Sequence, residues 1–207
     1  MERNTVHREN QATVDTAVRC SEGRPLPDSR FRELTEDPFY RVLRGYPGVV
    51  VDYVLLKDSV PYAGLVSHRR ALAFAMDRIN ARRPQAEPWR YDVRLATATA
   101  EDTAELLAWP EAPLPDSVTD GGEIPYWMAF ARPPHCDETA DEGAKRAFET
   151  VNAALFPKGT DALTAVRWST DWSDYFDAGH EWWGTACVTV YDIKLGRFAV
   201  LLMSSTD

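Results

Sequence analysis

Cysteine is scarce and scattered in this chain: Cys20, Cys136 and Cys187 form no CxxC pair. An odd, widely spaced set supports neither a disulfide framework nor a zinc knuckle, so the thiols are expected to be reduced, as in a cytoplasmic protein. Long apolar runs are missing too. Residues 1–20 hold no apolar core of signal-peptide length. The longest apolar stretches, such as Phe198 to Met203, are strand-sized and far below the roughly 20 residues that span a bilayer. A cytoplasmic location without a membrane segment is therefore expected. Positive charge is short as well, with 23 Lys and Arg against 32 Asp and Glu and a net charge of −9. Phosphate contacts need bases in excess, so nucleic acid is not an expected partner. No glycine-rich loop joins a strand to a helix, and no repeat or low-complexity tract occurs.

A chain of 207 residues suits one domain, and at that length roughly 70% of the unfolded surface can be buried without a staple. Its charge is uneven. From Thr99 to Glu142 eleven acids face one base, Arg132, whereas from Ser67 to Leu95 seven arginines face three acids. Solvated faces of opposite sign are the plain reading of such patterning.

Residues 1–35 read as a loosely ordered N-terminal arm and residues 36–207 as a single domain. Asp37-Pro38 is an N-cap followed by a first-turn proline, opening a short helix that ends at Gly45. GVVVDYVLL (Gly48 to Leu56) has the near-continuous apolar pattern of a strand buried on both faces. Leu65, His68, Leu72, Ala75, Met76 and Ile79 make one stripe of a helix over Gly64 to Arg82. On that stripe His68 reads as a hydrogen-bonded core residue rather than a ligand. Trp89 to Thr97 alternates like a half-exposed strand, and Thr99 then suits the start of a short acidic helix. Pro110 to Gly122 is a surface loop. Ile124 to Ala131 reads as a strand, Asp141 to Leu155 as a helix, and Ala162 to Ser169, Thr185 to Tyr191 and Arg197 to Met203 as strands, the last two forming a hairpin. The expected class is α+β, with a mixed or mainly antiparallel sheet of about 5–6 strands packed with about 3–4 helices.

One segment stands out. Trp168 to Gly184, WSTDWSDYFDAGHEWWG, holds four of the seven tryptophans. Asp171, Asp174, Asp177 and Glu181 lie among them, His180 sits beside Glu181, and no Lys or Arg intervenes. Three readings compete. As scaffold, the indoles bury large apolar area and their N–H groups find nearby acceptors. As a recognition surface, Trp172, Asp174, Tyr175, Asp177, Trp182 and Trp183 would bind a basic protein, with aromatic anchors inside an acidic rim. As an active site, Asp177, His180 and Glu181 would act as acid/base groups of a small hydrolase, carbohydrate-directed by its rings. Nothing marks a nucleophile.

The stretches IPYWMAFARPPH (Ile124 to His135), VNAALFPKGTDAL (Val151 to Leu163) and WSTDWSDYFDAGHEWWGTACVTVYDIKLGRFAVLLMSSTD (Trp168 to Asp207) resemble a family of small uncharacterised bacterial proteins. The likeness covers roughly the C-terminal 85 residues and implies kinship without chemistry, since no activity or catalytic residue comes with it. His135, Cys136 and Asp137, even with His180, make a poor donor set, and neither a metal nor a cofactor is implied. The expected function is that of a non-catalytic binding module of immunity or inhibitor type. The hydrolase is the alternative.

Overall fold

The computed structural model describes residues 30–84, 86–111, 121–134 and 142–205. Along the chain these form β1 (Phe31–Glu33), α1 (Pro38–Leu43), β2 (Val51–Asp58), α2 (Leu65–Ala81), β3 (Ala98–Glu101), α3 (Thr103–Leu106), α4 (Tyr126–Ala131), α5 (Glu142–Leu155), β4 (Leu163–Trp168), a 3-10 turn (Asp174–Phe176), α6 (Asp177–Glu181), β5 (Ala186–Asp192) and β6 (Arg197–Met203). The class is α+β, with six strands in one antiparallel sheet of order β1-β2-β6-β5-β4-β3.

The apolar runs explain the layering. All seven residues of β6 are buried. Phe198, Val200 and Leu202 face one way, and Ala199, Leu201 and Met203 the other. β2 divides alike, with Val54 and Leu56 opposed to Tyr53 and Leu55. A strand apolar on both faces must be covered twice. One cover is α2, which buries Ala71, Leu72, Ala75, Met76 and Ile79. The other is built from α1, α4 and α5, through Phe39, Phe130, Phe148 and Val151. Buried Arg197 ties the second cover down: its guanidinium bonds the Asp37 carboxylate and donates to the Leu155 carbonyl at 2.6 Å. Asp37 also caps α1, accepting from the Phe39 amide at 3.0 Å.

Several local expectations gave way to tertiary packing. Phe31–Glu33, at the end of the expected arm, is an edge strand paired with β2; the preceding residues lie outside those described. Trp89 to Thr97 is irregular despite its alternation, apart from an isolated bridge between Tyr91 and Ser173. Its backbone is held by side chains instead. Asn80 bonds both the amide and the carbonyl of Trp89, at 2.8 and 3.0 Å, and Arg69 donates to the carbonyls of Val93 and Ala96. The strand begins only at Ala98, so Thr99 lies within it, and Asp102 caps the following helix by accepting from Ala104 at 2.7 Å. Ile124 to Ala131, expected as a strand, is helical from Tyr126. Pro125, extended and lacking an N–H, stands at its N-terminus. A six-residue apolar run fits a helix buried all round as well as a strand, and Tyr126, Trp127, Met128, Ala129 and Phe130 are all buried.

His68 lies in the core, its ring bonded to Tyr62 at 3.0 Å and Thr189 at 2.8 Å. Burial disfavours its charged form and lowers its pKa from 6.5 to about 4. The unfolded chain therefore binds a proton that the native protein refuses. The resulting stability is complete above pH 6.5 and is lost as pH falls towards 4, by roughly 3 kcal/mol in full. Denaturant titrations at pH 7 and pH 5 should show this loss, and in His68→Gln the stability difference between the two pH values should shrink markedly.

Candidate functional site

The aromatic-acidic segment clasps one end of the sheet. Trp168, Trp172, Tyr175 and Phe176 pack with α2, whereas Trp182 and Trp183 pack with α4 and α5. The chain thus crosses from one face of the sheet to the other, and α6 lies on the crossing. Each turn of this path has a local cause. The Trp168 indole donates to Thr189 Oγ1 at 2.9 Å beneath the Arg69 guanidinium, which lies 4.9 Å from the ring. The Trp172 indole donates to the Ser169 carbonyl. Ser173 caps the 3-10 turn through the Tyr175 amide and donates to the Arg90 carbonyl at 2.9 Å. The Tyr175 hydroxyl donates to Asp52 at 2.9 Å, and burial, with that carboxylate beside it, pushes its pKa well up. The Trp183 indole donates to the Arg132 carbonyl at 3.1 Å.

Two glycines permit the close approach. A Cβ on Gly179 would stand 2.4 Å from the Gly184 carbonyl oxygen and 2.6 Å from Thr185 Cγ2. At Gly121, with φ of 83°, it would stand 2.0 Å from the His180 carbonyl oxygen. Gly121 to Ile124 therefore runs tight against Trp182 to Thr185, bonded by Gly121 N to Trp182 O, Thr185 N to Gly122 O and Ile124 N to Thr185 O.

This packing corrects the expected binding set. Trp172, Tyr175 and Trp183 are 3%, 8% and 2% exposed, so these rings are core and offer no surface. Trp182 is half-buried. Asp174 is engaged by Arg90, accepting from its amide at 2.7 Å and its Nε at 3.0 Å. With the rings turned inward, Asp171, Asp177, His180 and Glu181 are left exposed.

The three acid/base candidates do not converge on one cavity. His180 lines a hollow of about 490 Å³ and bonds Thr170 Oγ1 through Nε2 at 3.2 Å. Asp177 opens on a separate hollow of about 430 Å³, beside Arg90 and Asp92. The two stand three residues apart on α6, as neighbours on a helix surface, yet they line different hollows, and Glu181 is exposed at the helix end.

The larger hollow brings together residues that the sequence did not single out. Arg167, on β4, donates to both oxygens of Glu101 on β3, at 2.6 and 2.8 Å, and to Glu123 at 3.1 Å. Its pKa is raised, chiefly by the hydrogen bond with Glu101. Asp171 joins the lining, so the hollow is lined by three acidic residues and one arginine. The available signal was Arg167 itself, a charge inside the apolar strand LTAVRW.

Among the described residues no three His, Cys, Asp or Glu side chains are grouped to hold a metal; His135, Cys136 and Asp137 lie outside the described residues. Cys187 is a free thiol whose pKa is raised by burial. No described helix is long and apolar enough to cross a membrane. The chain matches no protein-family model, no curated protein and no solved structure.

Substituting Gly179→Ala should lower stability by about 2 kcal/mol or more, since the nearest atom the new methyl meets is a backbone oxygen, that of Gly184, which cannot swing away. Trp172→Ala should cost about 3–5 kcal/mol as a large core truncation. Thermal or urea unfolding checks both, and near-wild-type stability of either variant would contradict the packing described.

Proposed function

We propose that this protein is a non-catalytic binding module of immunity or inhibitor type that engages a basic protein partner in the bacterial cytoplasm. The observation carrying this reading is the polarity of the clasp, whose rings are buried while Asp171, Asp177 and Glu181 project outward. On a chain of net charge −9, an acidic end attracts a cationic partner over a Debye length and suppresses acidic ones. Affinity then rests on charge complementarity around α6, with half-buried Trp182 beneath it, rather than on a cluster of exposed tryptophans. A free, buried Cys187 thiol suits a reducing compartment. The hydrolase reading gains no comparable support, because Asp177 and His180 open on separate hollows.

The test is retention of a basic protein from the host on immobilised protein at low ionic strength. Wild type should hold it, and both 0.5 M salt and the double variant Asp177→Lys, Glu181→Lys should release it, with association weakened at least about tenfold and the melting curve unchanged. Equal retention by the variant, or turnover of a glycoside or ester substrate that is lost in His180→Ala, would overturn the reading.

A further inference from the structure

The two ends of the sheet are finished differently. β1 closes its end with a buried phenylalanine and a charged pair, Arg32 and Glu33, the glutamate bonded to Arg82. Natural edge strands are blunted in this way by charge, proline, bulges or a covering element, because an open edge is a template for pairing. Among the described residues β3 has none of these over Ala98, Thr99 and Ala100, which are all exposed.

The register fixes which backbone groups are open. Ser169 N donates to Thr97 O at 2.9 Å, making Thr97 and Ser169 a hydrogen-bonded pair. Antiparallel strands alternate bonded and non-bonded pairs. Thr99 and Glu101 therefore bond β4 opposite Arg167 and Ala165, while Ala98 and Ala100 turn their N–H and C=O groups away from the sheet. These outward groups meet no partner among the described residues. Thr99, Ala100 and Glu101 also wall the larger hollow, where Glu101, Glu123 and Asp171 outnumber Arg167.

We infer that β3 is a docking edge that takes an extended, basic segment of the partner as a seventh strand. Ala98 and Ala100 supply the main-chain bonds, and the acidic hollow takes a lysine or arginine side chain of the added strand. Cross-strand neighbours share a face, so a residue opposite Glu101 reaches the same carboxylates as Arg167. The alanines leave room for close backbone approach. A second copy of this chain is disfavoured as occupant, because it would bring an equally acidic edge against this one. The inference rests on the reading of the protein as a binder of basic partners and specifies how one is held, by strand addition.

The experiment uses a short peptide alternating lysine with valine, titrated into isotopically labelled protein and followed by amide shifts and hydrogen exchange. The Ala98 and Ala100 amides should shift most, and their exchange should slow at least about tenfold at saturation. A peptide N-methylated at alternate amides keeps its charge but loses the pairing edge, and should bind at least about tenfold more weakly. Ala100→Pro should have the same effect on the unmodified peptide, since the proline removes an outward N–H that no ladder bond uses. Equal binding of the methylated peptide, with shifts confined to α6, would overturn strand addition while leaving the charge-based reading standing. No binding of either peptide would overturn both. Concentration-dependent protection of Ala98 and Ala100 without peptide would assign the edge to self-association and overturn the inference.

Discussion

Strands buried on both faces govern this molecule. β2, β5 and β6 carry apolar side chains up and down along most of their length, and the hydrophobic term is satisfied only when both sides are dry. Two helical layers do this along the sheet, but its end beyond β4 and β5 would remain open. The tryptophan-rich segment closes it by wrapping from one face to the other. Each large ring so buried is worth several kcal/mol to the fold, a substantial fraction of the roughly 5–15 kcal/mol by which a domain is stable. Core demand therefore outcompeted surface display for these residues.

That outcome shapes what the surface offers. Where rings point inward on a short helical path, the residues between them point outward, and here those are aspartates, a glutamate and a histidine. The acids are not equivalent. Asp174 is locked by Arg90 and serves the fold, whereas Asp177 and Glu181 are exposed and present charge to solvent. A charged rim above a packed aromatic floor is rigid, and rigidity lowers the ordering cost of association.

Polar groups inside the molecule are few and mostly paired, and they join layers rather than decorate them. Arg197 links β6, α5 and the cap of α1. Tyr53 and Tyr126 meet hydroxyl to hydroxyl at 2.7 Å, and Tyr126 passes the bond to Asn152, joining β2, α4 and α5. Removing one partner from such a site leaves the other buried and unsatisfied, which costs more than the bond contributes. These contacts therefore discriminate against slipped packings of the second cover.

By itself the sequence determined the α+β class, both long helices, the doubly buried strand and the final hairpin, because burial demand is written in side-chain period: 3.6 along α2, continuous along β6. It also marked the segment from Trp168 to Gly184 as exceptional. Only the tertiary structure decided which way that segment faced, since periodicity states how much an element must bury and not which neighbour buries it. For the same reason Ile124 to Ala131 read as a strand and folded as a helix, and Trp89 to Thr97 alternated without finding a strand to pair with. The hollow at β3 was marked locally by Arg167 alone, a charge inside an apolar strand, and its partners were beyond local reading. Arg167 meets Glu101 across 66 positions and Glu123 across 44, and only the register of β3 on β4 and the glycine-permitted approach of Gly121 bring those charges together.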